Sequence, residues 1–224
     1  MDAMTWNGAG LRIPAGVRTL DKFRNWARSP GFPEHGRISF INGDLHIDMS
    51  PDELEHHNKV RGAICHTVIT LNDEQDWGEF FLDGALVTNS AANLATVPDA
   101  SLVKWETSAS GKVRFVPRKD RAGEFIEIRG TPDWLLEAVS FSSLQKDTEE
   151  LPLSYHRAGV PEFWLVDARG QEIDFRILVH RPRKYQKGKT RAGWHHSPLF
   201  GMWFRLVRHL NRQDRWTYKL EVKS

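Results

Sequence analysis

The sequence predicts an α/β fold, a central mixed β-sheet flanked by helices, with a C-terminal basic antiparallel β extension. Three observations carry this reading. A helical pattern long enough to cover a sheet follows Ser50-Pro51 and places Val60, Ile64, Val68 and Leu71 on one face. Two short apolar runs, 134–139 and 163–166, have the composition of strands buried on both faces, with a polar link and one short helical segment between them. Beyond residue 180, Trp194, Phe200, Trp203, Phe204, Trp216 and Tyr218 recur among Lys and Arg at the spacing of short antiparallel strands. The coarse order is helix, hairpin, long helix, strands, helix, strands, which builds a mixed sheet with helices against it.

Each element has a local reason. Residues 1–16 lack periodicity and read as a loosely held arm. Thr19 is placed to cap a helix over 20–27, where Leu20, Phe23 and Trp26 recur every third residue. Residues 37–49 alternate on either side of Asn42-Gly43, a strong hairpin signal. Ser50-Pro51-Asp52-Glu53 reads as the start of the long helix, which should run to about Asn72. Residues 78–89 suit one or two strands around Asp83-Gly84, and 98–105 another, opened by Asp99. The polar, basic segment 107–123 reads as a surface loop, and Phe125, Ile126 and Ile128 as a short strand. Pro152 restricts the next helix to about 151–157, ended by Gly159. Strands over 162–166 and 175–180 follow. The chain thus divides into the arm, an α/β domain over 17–180, and a basic aromatic extension over 181–224 packed on the same domain.

Composition narrows the function. The 224 residues are 40% hydrophobic and 27% charged, ordinary for a globular protein. No stretch suits a membrane span and the first residues lack the order of a signal peptide, so the expectation is a cytoplasmic protein without a membrane partner. A single cysteine, Cys65, excludes an internal disulfide framework and a multi-cysteine zinc site; within a helical pattern it reads as a small buried hydrophobe. The net charge of +2 is unevenly spread. Residues 175–219 hold 12 of the 31 Lys and Arg but only one of the 29 acids, Asp214, so this segment carries +11 and the remainder −9. The basic segment would attract nucleic acid, and its Tyr185 and Trp194 would suit base stacking; the acidic remainder would repel a phosphate backbone unless a metal intervened.

Glu137 interrupts an apolar strand. A carboxylate there is costly to bury unless it is paired or holds a metal, which makes it the first functional candidate. Other polar residues have plainer readings. His56 and His57 are adjacent and face different ways, unlike zinc ligands on a helix, though His57 is placed to line a cleft. Asp133 after Pro132 suits a turn. Ser140 lacks the surroundings of a nucleophile elbow and suits a loop hydrogen bond. Asp147 and Thr148 suit helix caps, and Tyr155 and Trp164 the core.

Asn42-Gly43-Asp44-Leu45, Ser50-Pro51, His57, Pro98-Asp99, Pro132-Asp133-Trp134, Glu137-Ala138-Val139-Ser140 and the run from Tyr155 to Asp167 together resemble the Uma-type endonuclease family of the PD-(D/E)XK nuclease superfamily. The resemblance spans about 37–180. It implies a restriction-endonuclease-like fold and a metal-dependent endonuclease that hydrolyses phosphodiester bonds in DNA. It also implies Asp99 and Glu137 as ligands of Mg²⁺ or Mn²⁺. The lysine of the superfamily motif is missing: its position is Val139. The resemblance allows a lysine from the following helix; Glu149 and Leu151 stand there, and Lys146 is the nearest substitute for orienting the nucleophilic water. Asp44 matches an early acid that often completes such sites, and Ser39 stands where a glutamate is expected. Two other readings remain open, a catalytically inactive nuclease-fold module that binds nucleic acid and a protein-interaction or self-assembly domain. A homodimer would suit cutting of a two-fold symmetric duplex.

Overall fold

The computed structural model describes residues 4–5, 11–121 and 123–224. Of the arm expected over 1–16, residues 1–3 and 6–10 lie outside the described residues; Met4–Thr5 pairs with Arg12–Ile13, and Leu11 is buried.

The site is organised by a six-stranded mixed sheet. Its order is Gln186–Lys187, Asp174–Val179, Glu162–Asp167, Trp134–Ala138, Ala100–Lys104, Gly78–Leu82. Trp134–Ala138 runs parallel to Glu162–Asp167 and antiparallel to Ala100–Lys104. The parallel pair requires a crossover, and the helix Leu151–Arg157 supplies it. Pro152 falls in its first turn, where its missing N–H costs nothing, and Gly159 follows its end at φ 76°.

A second six-stranded mixed sheet was not anticipated. Its order is Asp44–Asp48, Arg37–Ile41, Leu94–Thr96, Leu86–Asn89, Phe125–Gly130, Val113–Pro117. The chain leaves the first sheet at Asp83-Gly84, where Gly84 at φ 105° lets Gly78–Leu82 and Leu86–Asn89 join different sheets. The surface loop expected over 107–123 is corrected: Trp105–Ala109 is a short helix and Val113–Pro117 an edge strand. That strand buries only Val113 fully, so its alternation is too weak to read. The 37–49 hairpin forms as expected, with Asn42 and Gly43 both at positive φ.

The long helix starts later than its sequence suggests. Ser50 to Asp52 stay outside it, and the Glu53 side chain caps it by accepting from the backbone N–H groups of Glu55 and His57 at 2.9 and 3.1 Å, and of His56. A π-helical turn, Leu54–Asn58, leads into Lys59–Gln75. Val60, Ile64 and Val68 are fully buried on its inner face.

The basic extension forms a four-stranded antiparallel sheet, Thr190–Arg191, Trp194–Ser197, Met202–Leu210, Trp216–Lys223. Phe200, Phe204, Tyr218 and Leu220 share one core cluster with the long helix and with Trp134 and Trp164. Glu162, buried beneath the extension, accepts hydrogen bonds from Trp164 Nε1 at 2.6 Å, Ser197 Oγ at 2.5 Å and the Leu199 backbone N–H at 3.1 Å. Burial pushes its carboxyl above the usual range, against the pull of these donors.

Glu162→Ala strands all three donors. Urea denaturation should show a loss of about 3 kcal/mol, with a smaller loss for Glu162→Gln. A loss below about 0.5 kcal/mol for the alanine variant would show that the extension is anchored by its apolar contacts alone.

Candidate active site

Strand register brings Asp99 and Glu137 together. Leu136 pairs with Ala100, and the Asp99 N–H continues the ladder by donating to the Leu136 carbonyl at 3.1 Å. The next cross-strand neighbours are Asp99 and Glu137. Such neighbours carry Cβ atoms about 5 Å apart on one face, within reach of a shared ligand. Trp134, Leu136 and Ala138 pack toward the long helix, and Leu135 and Val139 toward Leu151 and Tyr155. By alternation Glu137 lies on the second face.

Both acids are buried, Asp99 at 4% and Glu137 at 3% exposure, but their surroundings differ. Asp99 Oδ2 accepts from the Ala138 N–H at 2.7 Å and lies 3.5 Å from His57 Nε2. Its Oδ1 accepts from Arg61 Nη1 at 3.3 Å and lies 3.7 Å from Arg37 Nη2. Burial pushes the Asp99 carboxyl up, but His57, the Ala138 N–H and Arg37 outweigh it and hold the group below the usual range. Glu137 has one strong partner, the Tyr155 hydroxyl, which donates to Oε1 at 2.5 Å. Burial first and Asp147 second raise its carboxyl well above the usual range, and Lys146 offsets only part of that.

Lys146 reaches the same place from the π-helical turn Lys146–Glu150, which precedes the crossover helix. Its ammonium lies 3.3 Å from Asp147 Oδ1. Burial would lower its pKa, but Asp147 and Glu137 prevail and hold it above the ordinary lysine range. Val139, at the usual lysine position, is fully buried, and its N–H donates to the Val166 carbonyl at 2.8 Å.

The sequence reading missed two further acids. Asp147, expected as a helix cap, turns inward at 2% exposure; it accepts from Ser143 Oγ, and its Oδ1 faces the Lys146 ammonium at 3.3 Å. Burial raises its carboxyl despite Lys146. Asp48, at the far end of the hairpin from Asp44, accepts from the Ser50 N–H at 2.9 Å and from Ser142 Oγ at 2.7 Å. Asp44, the early acid suggested by the resemblance, is exposed beside the hairpin turn and does not line the site. Ser39 is buried and bonds Thr96 Oγ1 at 3.0 Å.

Asp48, Asp99, Glu137, Asp147, Lys146 and Arg37 surround an internal void of about 10 Å³, with His57 as a further wall. A void of that size holds roughly one water or ion. Arg37 and Asp48 also line a cleft of about 570 Å³ and a smaller one beside Ser140, Phe141 and Ser142, so the buried acids open outward past these two residues. Arg37 is braced by Asp52 at 2.9 Å and Asp83 at 2.6 Å, and Arg61 by the same two acids at 2.8 Å each.

The donor set suits a hard cation. Oxygen ligands are what Mg²⁺ and Mn²⁺ take, and one or two protein carboxylates suffice when water and phosphate complete the shell. Among the described residues no group of three or more His, Cys, Asp or Glu side chains is placed to hold a metal ion. A site here would therefore rest on one or two carboxylates, with water and phosphate as the other ligands.

Other candidates resolve as structural. Asp133 accepts from the Lys104 N–H and Thr107 Oγ1, both at 2.8 Å. Ser140 Oγ bonds Ser143 Oγ at 2.8 Å in the loop. Burial pushes the Cys65 thiol up to about 12, which leaves it inert. Tyr185 and Trp194 are already engaged. Tyr185 donates to the Val160 carbonyl at 2.8 Å, and the Trp194 ring has Arg205 at 4.7 Å and Lys223 at 4.3 Å. Among the described residues no helix is long and apolar enough to cross a membrane.

Comparison with known proteins adds a family and a fold. No curated protein matches the sequence. A crystal structure from Anabaena variabilis ATCC 29413, titled a "putative nuclease belonging to DUF820", is similar in fold, with a TM-score of 0.58 at 21% identity over 82% of this chain and 90% of that one. The model of the family described as "Uma2: Putative restriction endonuclease" matches residues 20–206, further into the extension than the motifs alone reach. The chain belongs to the Uma2 family.

Proposed function

We propose that this protein is a divalent-metal-dependent endonuclease that hydrolyses phosphodiester bonds in DNA. One observation supports it most. Asp99, Glu137, Asp147 and Lys146 converge on a single small void that opens through Arg37 and Asp48 to the surface. Asp99 and Glu137 are the residues that would hold Mg²⁺ or Mn²⁺. Bound there, such a cation supplies Lewis-acid charge for the phosphate and lowers the pKa of a water.

The chain's own groups divide the remaining work. Lys146 stays protonated, so it donates hydrogen bonds to negative oxygen and takes no proton. Asp147 and Ser143 fix where its ammonium points. Tyr155 fixes the Glu137 carboxylate, and the Ala138 N–H fixes that of Asp99. Arg37 stands between floor and cleft, where an entering phosphate first meets positive charge. The exposed Arg181, Arg183, Lys184, Lys187, Lys189 and Arg191 supply backbone attraction away from the acids.

A second reading, a nuclease-fold module that binds nucleic acid without cutting it, draws on a different observation. Both Asp99 oxygens are already taken by donors, two of them from Arg61 and Ala138.

Supercoiled plasmid with Mg²⁺ or Mn²⁺ separates the two. The intact protein should nick it, and Asp99→Ala, Glu137→Ala and Lys146→Ala should each lose roughly a hundredfold or more in rate. No nicking with either metal, together with a salt-sensitive gel shift, selects the binding module. A second check needs no turnover. Since Glu137 has a raised pKa in the folded state, stability should fall as pH rises above the model-compound value of 4.5. In EDTA, melting temperatures should show Glu137→Gln gaining on the wild type as pH climbs from 4 to 8, and Mg²⁺ or Mn²⁺ should narrow that gap by stabilising the wild type alone. A pH-independent difference would show that Glu137 does not carry the unfavourable charge.

A further inference from the structure

We propose that Phe141, backed by Arg169, is a stacking platform for an unpaired nucleobase at the mouth of the active site. The inference rests on the nuclease reading and adds to it a preference for single-stranded or locally melted nucleic acid.

Phe141 lies in the link between the Glu137 strand and the Lys146 turn. Its neighbours are pinned on both sides: Ser142 Oγ donates to Asp48 Oδ2 at 2.7 Å, and Ser140 Oγ bonds Ser143 Oγ at 2.8 Å. It lines the outer cleft together with Arg37, Asp48 and Asp52, and Arg37 and Asp48 also line the void that holds Asp99 and Glu137. A base lying on Phe141 therefore belongs to a nucleotide close to any phosphate in the site.

The side chain is not placed for packing. Phe141 is 72% exposed, the most exposed large apolar residue among those described. What covers it is a cation: the Arg169 guanidinium lies 5.0 Å from the ring centroid. Asp167 holds that guanidinium in turn, accepting from Nε at 3.0 Å and Nη2 at 2.8 Å, and the Arg169 backbone N–H at 3.1 Å. The arginine is thus fixed over the ring of a residue that itself lines the cleft. Fixing the stack in advance lowers the entropy lost when a third flat group joins it.

The chemistry of that group follows. Aromatic and guanidinium planes stack on bases without regard to sequence. In a duplex the faces of a base are covered by its neighbours, so the platform takes a base that is unpaired or turned out. Elsewhere the aromatic residues first suggested for stacking, Tyr185 and Trp194, are occupied.

A single-stranded oligonucleotide carrying 2-aminopurine tests this, with its matched duplex as control and supercoiled plasmid nicking run in parallel. Stacking quenches 2-aminopurine, so the wild type should quench the single strand and not the duplex. Phe141→Ala should lose the quench and bind the single strand roughly tenfold more weakly, and Phe141→Trp should restore both. Equal quenching and affinity for the wild type and Phe141→Ala overturns the platform, and if the plasmid is still nicked the nuclease reading survives it. Quenching that depends on Phe141 without any nicking upholds the platform while removing catalysis. A wild type that neither nicks the plasmid nor binds either oligonucleotide overturns both.

Discussion

A carboxylate inside a strand buried on both faces is the constraint on which the rest of the site depends. Trp134–Ala138 is buried at every position, and Glu137 shares that burial. Water cannot solvate it, so its surroundings must either hold it neutral or bring it positive charge. The fold supplies one hydroxyl, from Tyr155, and one ammonium, from Lys146. It also adds Asp147 and Asp99, which make the electrostatic problem worse. A structural ion pair needs no second and third acid, and a core position needs none. The proposed cation would relieve this repulsion by adding positive charge among the carboxylates.

The neighbouring acid is treated in the opposite way. Asp99 is as buried as Glu137, yet His57, the Ala138 N–H and Arg37 hold its carboxyl below the usual range. Two carboxylates side by side on adjacent strands thus have their pKa values pushed apart. The difference comes from the elements behind them: the long helix brings His57 and Arg61 to Asp99, and the crossover helix brings only Tyr155 to Glu137. The same two arginines are bound to Asp52 and Asp83, so moving them away from Asp99 leaves each with other partners.

Much of this was legible in the sequence because it is written locally. Asn42-Gly43 specifies a hairpin through positive φ, Pro152 and Gly159 bracket a helix, and an acid inside an apolar run marks Glu137 without any partner in view. Asp99 came with the family resemblance, because strand register, not sequence spacing, sets it beside Glu137. Asp48 and Asp147 were not legible. Asp48 meets Ser142 across 94 residues, and Asp147 looks like an ordinary cap until the π-helical turn rotates it inward. The second sheet escaped for a related reason: its strands are short, and the chain passes between the two sheets repeatedly, once at the Gly84 turn, so several sequence neighbours do not share a sheet.

Charge is distributed by the same logic. The acids gather where two strands and two helix starts meet; of the exposed cations of the extension, Lys187 sits on the far edge strand of the sheet that holds Glu137, and Arg191 and Lys219 on the four-stranded sheet whose inner face is core. Phe204, Tyr218 and Leu220 tie that sheet to the long helix, and Lys59 Nζ, donating to the Trp216 carbonyl at 2.9 Å, ties it to the helix end that carries His57. Attraction for a polyanion and repulsion by buried acids are thereby kept on different surfaces of one rigid body. Screening acts within about 10 Å at moderate salt, so a basic sheet can draw in a phosphate backbone without neutralising acids more than that distance away. The buried acids are reached past Arg37 and Asp48, which line both neighbouring clefts, and Phe141 stands in the smaller of the two.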